Sequence, residues 1–211
     1  MKVIEHRGVE GLVIAEVTKD DNEKDGGYVT GPVEELAPVA EISKAVEVSK
    51  EPHFYDNKPG NVVGGEGADT ITIKAAAMLL EKLAKITGRS YDPTTGALIE
   101  GPIRERYFAL GYKTKDTDGK NRYVWRFKGV FGIPTETSAT VDSGTAANGT
   151  ELTYTGIYTE HIFEKAIYNG TSWEPGPSKG LTVSDREGLA NLDTFFTTVT
   201  TGDTLTAKTA S

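Results

Sequence analysis

The chain has 211 residues, a formal net charge of −8 and no cysteine. A chain of this length is expected to bury roughly 70% of its unfolded surface, which is enough for one domain with its own core. The absence of cysteine excludes a disulfide framework and a cysteine-based metal site, and the acidic balance disfavours binding to phosphate. The sequence contains neither an apolar run of about 18 residues nor a start typical of a signal peptide. We therefore expect synthesis and folding in the cytoplasm.

The first clear strand pattern covers residues 39 to 48, where apolar and polar residues alternate. Ile42 and Val46 share one face and are predicted core residues, while Glu41, Ser43 and Glu47 share the other. The following segment, 50 to 69, contains two prolines and four glycines without periodicity. Long segments of this kind inside a domain are typically functional loops, so we predict a long loop here.

One helix is predicted over about 75–87. The segment KAAAMLLEKLAKITG places four apolar residues on one stripe: Leu79, Leu80, Leu83 and Ile86. Leu80 and Leu83 are predicted core residues. Gly88 stands where a left-handed residue ends many helices, so the helix is expected to stop there.

A β-hairpin is predicted next, with Asp118-Gly119 as its turn. Phe108 and Leu110 form the apolar face of its first strand. In the second strand, RYVWRFKGVF, period-2 alternation places Tyr123, Trp125, Phe127 and Phe131 on one face. It places the cations Arg122, Arg126 and Lys128 on the opposite face. The two kinds of side chain cannot then form one groove for single-stranded nucleic acid, so the rings are predicted core residues.

The remaining pattern predicts a strand at 151 to 159 and a second hairpin that turns at Asn169-Gly170. A short helix is predicted from a capping box at Ser184, with Leu189 and Leu192 as its buried face. Residues 194 to 211 are rich in threonine, and the C-terminal segment from about 180 to 211 is predicted to be extended.

No motif predicts a catalytic, cofactor or metal site. Nucleophile motifs are missing, and the three histidines, His6, His53 and His161, lack the spacing of metal ligands. The acidic segment that begins at Asp21 has proline where a calcium loop needs its bidentate glutamate. We therefore expect a non-enzymatic protein without cofactors.

The segment YFALGYKTKDTDGKNRYVWRFKGVF resembles the central hairpin of a family of major tail proteins, which build the tail tubes of long-tailed phages with non-contractile tails. The resemblance rests on A-L-G-Y-K, a glycine-containing turn, R-Y-V-W and K-G-x-F. TITIK, the leucine-rich helix ending in TG, YDPTTGALIEG and TYTGIYTEHIF are similar to further segments of that family. The resemblance covers residues 39 to about 165.

The resemblance implies a mainly β fold, a β-sandwich or half-barrel of two packed antiparallel sheets with one flanking helix. It implies a single tail tube domain over residues 1–211, which forms hexameric rings that stack into a conduit for DNA. Partners would be further copies of the chain and other tail proteins, such as the tape measure, the tail terminator and the distal tail protein. Genomic DNA would pass through without specific binding, no membrane would be involved, and the chain would reside in the virion tail after assembly in the host cytoplasm.

Within such a tube, Glu41, Ser43 and Glu47 are the candidate lining of the lumen. The loop around His53, Phe54, Tyr55, Asp56, Asn57 and Lys58 is the candidate contact between rings. Arg122, Arg126 and Lys128 are expected to face neighbouring subunits or the outer surface. Two alternatives remain open: a monomeric β-sandwich module that binds carbohydrate or another ligand through Tyr and Trp, and a hydrolase with an unrecognised carboxylate pair.

Overall fold

The computed structural model describes residues 4–24, 26–55, 58–136 and 149–208. This part of the chain is mainly β, with packed antiparallel strands and one helix, as predicted. The elements are β1 His6–Asp20, β2 Tyr28–Thr30, β3 Glu34–Glu35, β4 Val39–Tyr55, β5 Lys58–Ala75, α1 Leu80–Thr87, β6 Ser90–Asp92, β7 Ala97–Ile99, β8 Phe108–Asp116, β9 Asn121–Phe131, β10 Thr135–Glu136, β11 Thr150–Ile157, β12 Phe163–Tyr168, β13 Trp173–Gly176 and β14 Gly180–Ser184.

The main sheet runs in the order β2-β1-β8-β9-β11-β5-β4. Strand β9 is its branching point, because its first half pairs with β14 and its second half with β11. The sheet curls so that β4, at one edge, approaches β1. The predicted turns are confirmed: β8 and β9 form a hairpin around Gly119, and β12 and β13 form one around Gly170, both glycines having positive φ.

The curled sheet separates two hydrophobic cores. The inner core lies on its concave side and is built from β1, β5, β8, β9, β11 and Ile86 of α1. The outer core lies on the opposite face of β1, β8 and β9, and residues 192 to 205 cover it. The outer core therefore protects only half of the outer sheet surface, since β11, β5 and β4 contribute no residue to it.

Strand β9 contains a bulge that changes which core its residues enter. Gly129 pairs with Phe108 and Arg126 with Leu110, so β9 has one residue more than β8 between these pairs. Trp125 and Phe127 lie in the outer core, whereas Phe131 lies in the inner core beside Tyr154. The prediction that Phe131 shares a face with Trp125 is wrong, because simple alternation fails across a bulge.

The helix begins at Leu80, five residues later than predicted. Strand β5 continues to Ala75, and the amide of Ala76 donates to the carbonyl of Pro38, which keeps this backbone extended. Leu80 is consequently 46% exposed, and the prediction that it belongs to the core is wrong. The buried face consists of Leu83, Ala84, Ile86 and Thr87, and Gly88 ends the helix in the left-handed conformation, as predicted.

The other predicted core residues are buried to different degrees. Phe108, Leu110, Trp125, Phe127 and Leu83 are buried, which confirms the predictions. The remaining three are only partly buried, and each packs at the margin of a core or of the sheet: Ile42, Val46 and Tyr123. The position of β4 at the edge of the sheet explains why Ile42 and Val46 are only partly buried.

The segment predicted as a long loop is instead a β-hairpin. Strands β4 and β5 pair along their whole length, from Val39 opposite Ala75 to Tyr55 opposite Lys58. His53, Phe54 and Tyr55 end β4 and Lys58 begins β5, while Asp56 and Asn57 lie outside the described residues. Periodicity indicated only the first part of β4 and not the part of the hairpin within 50 to 69, because backbone hydrogen bonds between paired strands do not require alternating side chains.

The C-terminal segment is packed on the sheet: it is extended only at its start, and residues 185 to 208 form turns and bends. Residues 180 to 184 form β14, and the indole Nε1 of Trp125 donates to the carbonyl of Phe195 at 2.9 Å. The predicted helix after Ser184 does not form, and Leu189 is exposed. Asp185 accepts hydrogen bonds from the backbone and side-chain amides of Asn121, which keeps this segment in a turn against β9.

Candidate assembly surface and its charged anchors

The uncovered half of the sheet presents a continuous polar surface, which we call the polar face. It consists of alternate residues of β4, β5 and β11, and antiparallel pairing brings them side by side. Its members are the predicted residues Glu41, Ser43 and Glu47, together with Ala45 between the last two, and Thr70, Thr72, Lys74, Glu151, Thr153 and Thr155. The three predicted residues are all exposed and lie on one side of β4.

The polar face is rich in hydroxyl groups and poor in positive charge. Among its described residues, three carboxylates stand against one ammonium group, that of Lys74. This ammonium donates to Glu41 Oε2 at 2.8 Å, so its charge is neutralised on the face itself. Gly67 lies next to Glu47: a Cβ atom added at position 67 would lie 3.0 Å from the Cβ of Glu47. A surface of this kind can hydrogen-bond water and has little attraction for phosphate.

Two of the three cations of β9 are buried, contrary to the prediction that all three face neighbouring subunits or the outer surface. The side chain of Arg126 is 13% exposed and lies 3.4 Å from Asp69, and that of Lys128 is 8% exposed and lies 2.7 Å from Asp20. The side chain of Arg122 is 42% exposed and lies 3.4 Å from Asp116. The prediction failed because it treated the polar side of β9 as solvent-facing, whereas buried aspartates of distant strands lie opposite it.

The Asp20 contact changes the proton affinity of Lys128. Burial alone would lower the pKa of this ammonium group. The carboxylates of Asp20 and Glu160 outweigh burial and raise the pKa of Lys128 above its ordinary value. Asp20 also accepts hydrogen bonds from the backbone amides of Glu160 and His161, which fixes the segment after β11 to the end of β1.

Asp69 is the charged centre of the inner layer. Its buried carboxylate lies 3.2 Å from Lys44 Nζ, 3.2 Å from Lys179 Nζ and 3.4 Å from Arg126 Nη1. Burial alone would raise the pKa of Asp69, but these three cations hold it below its usual range. We call this cluster the Asp69 anchor; it joins β4, β5, β9 and the residue before β14.

The Asp69 anchor also fixes the base of the β4–β5 hairpin. Lys179 Nζ donates to the carbonyl of Gly67 and lies 2.9 Å from Glu66 Oε1. The ammonium group is 4.8 Å from the ring centroid of Tyr158, which adds a cation–π contact. Lys179 therefore connects the hairpin to the body of the subunit at the point where the β4–β5 register shifts.

A second buried aspartate, Asp116, joins two arginines and a histidine at the end of the β8–β9 hairpin. Its carboxylate lies 2.8 Å from His6 Nδ1, 2.8 Å from Arg186 and 3.4 Å from Arg122. Burial alone would raise the pKa of Asp116, but hydrogen bonds and charges from these groups lower it. The contact fixes the start of β1 and the segment after β14 to the same turn.

The sequence contains one signal for the Asp69 anchor. Asp69 stands two residues before Ile71 and four before Ile73, so it points to the same side of β5 as these buried residues. An aspartate in phase with core residues predicts a buried carboxylate that requires cations. Nothing in the sequence indicates that Lys44, Arg126 and Lys179 supply them, because they come from three distant segments.

The described residues contain no group of three or more His, Asp or Glu side chains arranged to hold a metal ion. His6 contacts Asp116, and His161 Nδ1 lies 3.2 Å from the carbonyl of Asp21. In the same part of the chain, no helix has the length and apolar character needed to cross a membrane.

The fold and the site define a mainly β protein with one bare, polar sheet surface. A scan against protein-family models gives no match for the chain, and a search of the curated proteins gives no significant match.

Proposed function

We propose that the chain is the subunit of a phage tail tube, in which hexameric rings stack into a conduit for DNA. The sequence resemblance over residues 39 to about 165 supports this function. The mainly β architecture agrees with the fold that the resemblance implies. The polar face is the observation that carries the proposal, since it has the chemistry that a conduit wall requires.

A conduit wall must let a polyanion slide without binding it. A basic wall would retain DNA, because each phosphate that is neutralised by a cation releases counterions and adds affinity. The polar face offers hydroxyl groups and an excess of carboxylates, and its Lys74 is paired with Glu41. Arg126 and Lys128 of β9 are held by buried aspartates and are thereby kept away from that wall.

The dimensions also support the proposal. If each of six subunits contributes about four strands, 24 strands spaced about 4.8 Å and tilted about 45° close with a backbone radius of roughly 26 Å. Subtracting about 5 Å of side chain leaves a lumen roughly 40 Å wide, which admits duplex DNA. Closure would also cover the edge strand β4, whose unpaired backbone groups otherwise invite uncontrolled pairing.

The β4–β5 hairpin is our candidate for the contact between stacked rings. It is a pair of long strands, and Lys179 fixes its base through Glu66 and Gly67. Paired strands can reach a neighbouring ring at lower entropic cost than an unpaired loop of the same length, because pairing already restricts the backbone.

Electron microscopy of the concentrated, purified chain tests the proposal. We expect hollow tubes with a regular axial repeat. A variant in which a short Asn-Gly turn replaces residues 52–62 should keep the thermal unfolding midpoint of the wild type and fail to form tubes. A wild-type chain that stays solitary at high concentration would contradict the proposed function. Normal tubes from the shortened variant would contradict only the role of the hairpin.

A further inference from the structure

Lys128 and Asp20 form a buried pair between two strands that are not neighbours in the sheet. Lys128 lies on β9 and Asp20 ends β1, and β8 runs between these strands. The two side chains are 8% and 5% exposed, and Lys128 Nζ lies 2.7 Å from Asp20 Oδ2. An amine and a carboxyl group that are held in contact and away from water are the two reactants of an amide bond.

Two further features distinguish this contact from a simple ion pair. The carboxyl group of Asp20 accepts backbone N–H groups on both oxygens, from His161 at 2.9 Å and from Glu160 at 2.9 Å. Such donors stabilise the negative charge that develops on oxygen when a carboxyl carbon is attacked. The side chain of Glu160 brings its Oε1 to 3.3 Å from Lys128 Nζ, where it can exchange a proton with the amine.

We propose that Lys128 and Asp20 condense after folding to an intramolecular isopeptide bond, with Glu160 as the proton carrier. Lys128 Nζ attacks Cγ of Asp20, so that a C–N bond forms and one C–O bond breaks. Two of the three ammonium protons leave with that oxygen as one water molecule, and the third stays on the amide nitrogen. The step needs no oxidant and no cofactor. It goes beyond the proposed function, because it takes place within a single subunit.

The pair is ionised at rest, because the neighbouring carboxylates raise the pKa of Lys128. The reactive form therefore requires one proton to pass from Nζ to Glu160, which leaves a neutral amine against Asp20. Burial favours this uncharged amine, and the ring of Tyr107, centred 4.9 Å from Nζ, helps to keep water away. Since the neutral form is the minor one, we expect the bond to form slowly after folding.

The Asp69 anchor contains another buried lysine–aspartate contact, that of Lys179, which should not react. Condensation there would consume the carboxylate that compensates Lys44 and Arg126 as well. A buried cation that loses its counter-charge is strongly unfavourable. The pair on β9 avoids this cost, because its further ion-pair partner, Glu160, is 70% exposed and stays in contact with water.

Mass spectrometry of the full chain tests the inference. After incubation at neutral pH, the wild type should be lighter than its sequence by one water molecule. Fragmentation of the digested chain should find a branched peptide in which Lys128 is joined to Asp20. Lys179 and Asp69 should stay unmodified in the same sample, which makes them an internal control.

Two variants separate the nucleophile from the proton carrier. Lys128→Arg keeps a positive charge beside Asp20 but lacks the amine, so it should keep the full mass of its sequence. Glu160→Gln changes an exposed side chain and leaves the backbone N–H groups on Asp20 in place. It should keep the circular dichroism spectrum of the wild type and form the bond at least about a hundredfold more slowly.

The outcomes are distinct from those of the tube experiment, which microscopy records separately. A wild-type chain that keeps its full mass after prolonged incubation overturns this inference, whether or not tubes form. A loss of water that fragmentation places at Asp118-Gly119 would identify a succinimide and would also overturn it. Equal rates for the wild type and Glu160→Gln would contradict the role of Glu160.

Discussion

At the scale of single residues, a few buried carboxylates connect the distant parts of this chain. Asp69 and Asp116 are both almost completely buried; Asp69 lies within 3.4 Å of three cationic side chains, and Asp116 lies within 3.4 Å of two arginines and His6. A buried charge is tolerated only when opposite charges and hydrogen bonds compensate the loss of water. Both aspartates therefore fix the positions of strands that are far apart in sequence.

Replacing Asp69 with asparagine should destabilise the fold severely. The change keeps the shape of the side chain and leaves Arg126 and Lys179 buried without their central carboxylate. Removing one partner of a buried ion pair costs about 3–5 kcal/mol of the free energy of unfolding. Denaturation in urea measures this difference. Glu41→Gln is the control, because the Glu41–Lys74 pair is exposed to solvent and its loss should change the free energy of unfolding little.

The free energy of unfolding should also fall in acid, and Asp69 and Asp116 should account for part of that loss. Their pKa values are lower in the folded chain than in the unfolded chain. Their stabilisation is therefore complete above the unfolded pKa of about 3.9 and is lost as the pH falls through the lower folded pKa, because the unfolded state binds more protons in that window. Urea midpoints measured between about pH 5 and pH 2 should decline steeply for the wild type and less steeply for Asp69→Asn. Parallel curves would exclude a contribution from Asp69.

At the scale of elements, alternation and turn chemistry predicted two hairpins. The predictions failed where the backbone departs from regular alternation. Asp118-Gly119 and Asn169-Gly170 identify their turns because glycine adopts positive φ without strain. The bulge in β9 leaves no mark in its sequence, so the side on which Phe131 lies could not be inferred. The outer halves of β4 and β5 were predicted as a loop because they are stabilised by pairing and lack side-chain periodicity.

The start of α1 can be tested with two leucines that the sequence pattern treats alike. Leu83→Ala should cost about 2–5 kcal/mol of the free energy of unfolding, because the side chain is buried. Leu80→Ala should cost less than about 1 kcal/mol, because Leu80 is half exposed and little cavity forms. Thermal or urea unfolding of both variants measures the difference. Equal losses would mean that the helix packs through the stripe predicted from the sequence.

At the scale of the whole molecule, one half of the outer sheet surface is covered and the other half is exposed. The C-terminal segment covers β1, β8 and β9 with aromatic side chains, whereas β4, β5 and β11 remain bare and polar. The sequence predicted the bare surface through Glu41, Ser43 and Glu47, since alternation alone defines one face of an edge strand. It could not predict where the cations of β9 lie, because their partners Asp20, Asp69 and Asp116 are brought together only by the fold.

The final prediction concerns the electrostatics of the polar face. If this face lines the lumen, Ser43→Lys combined with Glu47→Lys should leave tube formation intact and make the assembled tube bind duplex DNA. In a ring of six copies the pair of changes adds six charges at Ser43 and reverses six at Glu47, and affinity for phosphate should rise and should fall again as salt is added. Sedimentation of labelled DNA with assembled tubes, at low and high salt, measures the effect.

Glu187→Lys provides the matched control, because Glu187 is exposed in the segment after β14 and does not belong to the polar face. Tubes of this variant should retain less DNA, since its new charges would not line the path of the duplex. The comparison separates a charged lumen from a general increase in basicity. If the lysines at 43 and 47 bind no more DNA than the lysine at 187, the polar face does not contact DNA, and the wall of the conduit must be formed by other strands.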